Sequence, residues 1–194
     1  LRCLVGSEMC IRDRHYYDQD GRGTWARDGG GVLITQAIHT LDIMLLLCGP
    51  VKEVQGLIHT SALHKLEAED FSGALLNFES GARGTLMAST THYPGHKEEI
   101  ILNCSEATVN ISGADLKVFY HNGKIESLET DSQTGSGSDP MDFSYTWHAN
   151  VIEQFWTQFT KNQQIEISAE SALPVQQLID AIVRSSKLEK KVTV

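Results

Sequence analysis

Between residues 51 and 121 the chain falls into six short runs, VKEVQGLIHT, DFSGALLNFE, ARGTLMASTTHY, EEIILNC, ATVNIS and LKVFYH, rich in Val, Ile, Leu, Thr and aromatic residues. Turn signals stand around them at Glu79-Ser80-Gly81, Pro94-Gly95, Ser112-Gly113 and Asn122-Gly123. Apolar runs this short, bounded by such signals, read as strands rather than helices, most of them antiparallel. Several alternate on one side only, which implies a sheet with one face on helices and the other facing water or a second subunit. Helical periodicity brackets this region. It runs from about Gly30 to Leu47, and again from Asp142 to Thr160 through Phe143, Trp147, Val151, Ile152, Phe155, Trp156 and Phe159. Ser168-Ala169-Glu170-Ser171 opens a last helix to about Leu188, and KKVTV adds a candidate final strand. The fold class expected is therefore α+β: an open, mostly antiparallel sheet of about six strands with helices packed on one face.

Composition narrows the partners. A formal charge of −9 over 194 residues, with few clustered Lys or Arg, argues against nucleic acid and against an anionic membrane surface. A small molecule or a protein fits better. The longest apolar run, IMLLLC at 43–48, is far shorter than the roughly 20 residues that cross a bilayer. Cys3, Cys10, Cys48 and Cys104 show neither C-x-x-C pairing nor zinc-finger spacing, as suits a reducing cytoplasm. His15, His59, His64, His96 and His121 show no ligand spacing to one another, so no metal is expected and these rings read as solvated.

Two segments stand apart. LRCLVGSEMCIRDR, residues 1–14, matches neither helical nor strand periodicity well and resembles an adaptor-derived tract. It is read as non-native, with a short authentic strand through Cys3 to Val5 as the alternative, which leaves residues 15–194 as the domain. TDSQTGSGSDP, 130–140, is too polar for a core and reads as a loop.

The stretch DGGGVLITQAIHTLD, 28–42, carries the chemistry. Asp28 is its candidate N-cap, and Cys48-Gly49-Pro50 is a stop signature. On a helical wheel Thr35, His39, Asp42 and Leu46 fall within an arc of about 60°, while apolar side chains cover most of the remainder. A helix so apolar is expected to be buried. An unpaired polar group inside it would cost roughly 1–3 kcal/mol, so its polar stripe should meet partners or line a cavity. Three glycines in a first turn cost about 1 kcal/mol each relative to Ala, a cost that makes sense if a ligand or a packed strand approaches the backbone closely. The i, i+3 spacing of His39 and Asp42 sets a carboxylate beside an imidazole, an arrangement suited to a general acid or base. A satisfied core hydrogen bond is the plainer reading of the same pair.

Trp25 and Arg22, just before the glycines, offer a stacking surface and a charge for a polar substrate; core packing for Trp25 and a solvated Arg22 explain them equally well. His92 and Tyr93 end a strand at a Pro-Gly turn, where exposed turn residues are the commoner outcome. Trp147 is expected to pack, and His148 beside it is a further candidate contact.

GGGVLITQAIHTLD resembles the signature helix of the Gfo/Idh/MocA oxidoreductases, whose pattern is G-G-G-x-L-x-[D/N/T]-x-[G/A]-x-H-x-x-D. Agreement continues through RGTWARDGGG, GPVKEVQG, the acidic pair in EAEDFSGALLNFESGARGTLMAS, HYPG, and HANVIEQF…ISAESALPVQQLIDAIVRSS. The resemblance implies the C-terminal substrate and dimerisation domain of an enzyme that uses NAD or NADP to oxidise or reduce sugars, inositols and related carbinols. It implies catalytic acid–base work for His39 and a substrate-contacting or orienting role for Asp42. Thr35 stands where inositol dehydrogenase types carry an aspartate, and Thr35-Gln36 is similar to branches acting on modified or nucleotide-linked sugars.

A dinucleotide fold needs a strand, a G-x-G-x-x-G turn and a helix in that order, and the sequence supplies none. Gly135-Ser136-Gly137 leads into Asp139-Pro140, and no Glu-Lys-Pro occurs. The expectation is a C-terminal half that neither retains NAD nor turns over alone. Its substrate is a sugar, sugar acid, nucleotide sugar or polyol, its location the cytoplasm, and its assembly a homo-oligomer through the open sheet face. The competing reading is a free-standing, non-enzymatic ligand-binding or dimerisation domain of the same fold.

Overall fold

The computed structural model describes residues 2–10, 17, 20–92, 96–129, 145–166 and 168–194. In chain order the strands are β1 (Arg2–Cys10), β2 (Val51–His59), β3 (Phe71–Phe78), β4 (Arg83–His92), β5 (Glu99–Asn103), β6 (Ala107–Ser112), β7 (Asp115–Tyr120), β8 (Ile125–Leu128) and β9 (Val192–Thr193). The helices are α1 (Trp25–Asp28), α2 (Ile38–Cys48, entered through a π turn Leu33–Ala37), α3 (Thr146–Thr160) and α4 (Leu173–Leu188, entered through a 3₁₀ turn Glu170–Ala172). The stretch 130–140, His15, Tyr93 and the Pro94-Gly95 turn lie outside the described residues, as does the side chain of Trp147.

All the described strands join one sheet in the order β8-β7-β6-β5-β1-β4-β3-β2-β9. Every pairing is antiparallel except β1 with β4, whose register sets Arg2 opposite Arg83. The six expected strands are present as β2 to β7, and the tentative last one is β9. Two more extend the count. β8 is a short, wholly exposed run beyond the Asn122-Gly123 turn, without the apolar alternation by which strands are recognised. β1 lies inside the tract read as non-native and extends the alternative strand through Cys3 to Val5; its backbone pairs with both β4 and β5 and so unites two four-stranded antiparallel ribbons.

Alternation decides which face is covered. Ser72, Ala74, Leu76 and Phe78 of β3 and Gly84, Leu86 and Ala88 of β4 are buried, while Leu57, Leu75 and Met87 look out from the opposite face. On the covered face α2 contributes Leu41, Met44 and Cys48, and α4 contributes Val175, Leu178, Ile179 and Ile182, to a single core with Leu76, Leu86, Ile100 and Leu102. Gly56 lets α4 lie close: a Cβ there would stand 2.6 Å from the Ile182 carbonyl oxygen. The Gly56 and Ile58 amides donate to the Ser185 and Ser186 hydroxyls at 2.9 and 3.0 Å, sealing helix to strand. By length and composition Trp25–Cys48 would pass for a bilayer-crossing helix, yet it is broken at the glycines and half buried against this core.

α3 departs from expectation. Its apolar stripe is present, but no described side chain on it is buried; Ile152 is 67% and Trp156 63% exposed. Phe155 and Phe159 stack on each other, ring centroids 6.1 Å apart.

Candidate functional site

The glycine-led stretch folds differently from an uninterrupted helix. Thr24 caps α1, its hydroxyl accepting from the Arg27 amide at 3.3 Å. Gly29, at φ 77°, closes α1 in the left-handed region where glycine carries no steric penalty. Asp28, expected to cap the long helix, belongs to α1 instead, and its carboxylate accepts from the Gly23 amide at 2.7 Å.

The long helix takes its cap from 38 residues downstream. The Glu69 carboxylate accepts from the Gly31 amide at 3.0 Å and from the Leu33 amide at 3.2 Å, and the Glu69 carbonyl accepts from Val32 at 2.8 Å. Three otherwise unpaired amides of a helix start, where negative charge is favoured, thus meet one residue. A Cβ at position 31 would lie 1.8 Å from the Glu69 carbonyl oxygen, so only glycine permits the approach. The close neighbour that Gly31 requires is therefore the main chain of Glu69, whose carboxylate caps the helix beside it. Burial pushes the Glu69 carboxyl above its ordinary 4.5, opposed by the backbone donors and reinforced by neighbouring Asp70. Asp70 faces the other way: it accepts from the Ser61 amide and hydroxyl at 2.8 and 2.5 Å and lies 3.2 Å from His64 Nδ1. His64 is consequently buried rather than solvated, whereas His59, His96 and His121 are exposed as expected.

The predicted arc is present, but its surroundings differ. The helix is not buried all round. Leu33, Gln36, Ala37, Thr40, Leu41, Met44 and Cys48 face the core, while Thr35, His39 and Asp42 lie together on the open side with Ile43, Leu46 and Leu47. Leu46 is 84% exposed. The Thr35 hydroxyl donates to the Gly31 carbonyl at 2.8 Å. Among the described residues no hydrogen bond or ion pair joins His39 to Asp42, and both side chains are exposed to a ligand on that face. One residue beyond His39, the buried Thr40 hydroxyl donates to the Glu98 carboxylate, pinning the back of the helix.

The other candidates are placed elsewhere. Trp25, half-buried, packs over Gly30 and carries Lys187 Nζ of α4 at 5.3 Å from its ring centroid, so one ring face is taken by a cation of the chain itself. Arg22 is half-buried in the Gly21–Gly23 turn. His148 is exposed in the first turn of α3. His92 and His96 lie with ring centroids 4.8 Å apart. Among the described residues no cluster of His, Cys, Asp or Glu is arranged to hold a metal. Sequence reasoning overlooked Glu69 and Glu98 behind the site, although a glycine at position 31 that only a close neighbour explains was the available signal for the first.

The description of the GFO/IDH/MocA C-terminal domain matches residues 7–110, just over half of the chain. A search of curated protein sequences finds no match. Among solved structures, the chain is similar over its whole length to a WlbA dehydrogenase from Bordetella pertussis in complex with NADH and UDP-GlcNAcA (24% identity, TM-score 0.75, 55% of that chain). It is similar likewise to an NAD binding oxidoreductase from Klebsiella pneumoniae (20%, 0.79, 58%). A levoglucosan dehydrogenase in complex with NADH and levoglucosan aligns at 17% identity and TM-score 0.77, with 57% of that chain covered. The chain thus spans little more than half the length of these neighbours.

Proposed function

Because this chain belongs to the family of Gfo/Idh/MocA C-terminal domains, we propose that it forms the substrate side of an NAD(P)-dependent oxidoreductase acting on a hydroxyl of a sugar, sugar acid, nucleotide sugar or polyol. The observation that carries this reading is the grouping of Thr35, His39 and Asp42 on the open face of a helix whose opposite face is locked into the core. The neighbours' carbohydrate and nucleotide-sugar ligands support the substrate class.

The division of labour follows from what each side chain offers. His39 accepts the proton of the reacting hydroxyl through a ring nitrogen and returns it in the reverse direction. Asp42, one helical turn away, accepts hydrogen bonds from neighbouring substrate hydroxyls. Thr35 adds a neutral group where a charge would repel an acidic sugar. The residues described do not fit the dinucleotide itself. The helix-start amides that would receive a phosphate are already taken by the Glu69 carboxylate, and a second anion there would meet repulsion. NAD or NADP is accordingly assigned to a separate domain of a complete enzyme, without which this chain is inactive. Ile43, Leu46 and Leu47, left open beside His39, supply apolar surface for that domain to cover. The outward sheet face with Leu57, Leu75 and Met87 is proposed as the homo-oligomer contact, and the cytoplasm as the location.

The test is direct. In the chain joined to its cofactor domain, His39→Ala should lower turnover about 10²-fold or more, the usual reach of a positioned acid–base group. Unchanged turnover removes His39 from the chemistry.

A further inference from the structure

The helix that carries His39 is interrupted near its start. After Val32, residues Leu33–Ala37 form a π turn, and regular α geometry resumes at Ile38. A π turn amounts to one residue too many for the α ladder, is rare, and concentrates at functional sites. Left to itself it should relax, expelling the extra residue and turning everything on one side of it by about 100° relative to the other. His39 would then leave the open face.

Two carboxylates from distant parts of the chain hold opposite ends of this turn. Glu69, on the β2–β3 connection, grips the Gly31 and Leu33 amides before and at its first residue. Glu98, just ahead of β5, accepts from the Thr40 hydroxyl three residues past its end. Both contacts lie on the covered side, with Thr40 2% and Glu69 3% exposed. Inside the turn, the Thr35 hydroxyl takes the Gly31 carbonyl that the backbone ladder also uses, which weakens the helix where it bulges. The bulge thus has two side-chain anchors in its surroundings besides its own backbone bonds.

We infer that Glu69 and Glu98 clamp the π turn from either end and thereby fix the direction in which His39 and Asp42 project. They are positioning residues: neither lies on the open face, and each acts through the helix. Their catalytic meaning rests on the role proposed for His39; the geometric claim does not.

The experiment reads the His39 ring without turnover. Carbethoxylation of histidines by diethyl pyrocarbonate, followed by mass spectrometry, gives the modification rate of His39 relative to His121, an exposed ring in the β7–β8 turn. In Glu69→Ala and in Thr40→Val the His39 to His121 ratio should fall severalfold as the ring rotates toward the core, while Glu69→Gln, which keeps one acceptor, should recover most of it. In a chain with Thr35 excised, where α geometry needs no clamp, Glu69→Ala should leave the ratio unchanged. A ratio equal to wild type in both clamp variants, with only the melting temperature lowered, overturns the inference and leaves the carboxylates as ordinary caps. Should Glu69→Ala fail to fold, Thr40→Val and Glu69→Gln decide alone. Loss of the His39 role in turnover would defeat the proposed function while leaving this result standing.

Discussion

α2 is apolar around most of its wheel and α3 along one stripe, and both invite cover, yet one is built into the molecule and the other exposes its stripe. α2 sets Leu41, Met44 and Cys48 against the sheet and is tied by Glu69 in front and Glu98 behind. α3 sets Val151, Ile152, Phe155, Trp156 and Phe159 into solvent, and near its C-terminal end Gln154 and Gln158 bond to Glu166 just after it. Periodicity thus marks the side of a helix that wants cover without saying what covers it. Polar anchors make the difference, because each has a single geometry, whereas apolar surface accepts many partners.

This contrast can be broken most forcefully by truncating the two stripes. Met44→Ala should cost about 2–5 kcal/mol in denaturant unfolding, the range for an aliphatic side chain removed from a packed core, while Trp156→Ala should cost no more than about 0.5 kcal/mol. A Trp156 loss as large as that of Met44 would mean that α3 is covered in solution. Gly31→Ala isolates the anchor: its Cβ would collide with the Glu69 carbonyl, and overpacking of backbone against backbone should cost about 1–3 kcal/mol or more by the same measurement. A tolerated alanine would show that the Glu69 contact is not as tight as its geometry. The smallest effect is in pH. Because burial raises the Glu69 carboxyl, the folded chain holds that proton more tightly than the unfolded one; the associated stability is complete below pH 4.5 and is lost as pH climbs through the folded value. The melting temperature of wild type should accordingly decline relative to that of Glu69→Gln over this interval, and parallel profiles would remove Glu69 as its cause.

What could be read from the sequence follows the range of the interactions. Strands β2 to β7 were legible because alternation and turn residues are local, and so was the end of α2 at Gly49, whose φ of 82° needs a glycine. The arc of Thr35, His39 and Asp42 was legible because it depends only on helical pitch. The outward direction of that arc is not, since a helix apolar around most of its surface reads as buried on every side. The cap was misassigned to Asp28 because the true one, Glu69, is 38 positions away, and no local rule spans that distance. The burial of His64 is not legible locally for the same reason: it comes from folding the 60–70 connection back so that Asp70 reaches both it and Ser61. In β1, backbone pairing substitutes for the missing alternation.

The seat of β1 has a mechanical consequence. With β4 on one flank and β5 on the other, its nine residues are the only stitch between the two ribbons among the described strands. The ladders on both flanks are made by main-chain groups, so the opening asks for an extended length of peptide rather than for particular side chains. Whatever occupies it determines whether the molecule moves as a single plate or as two leaves on a hinge, each with a raw margin ready to take up a stray strand.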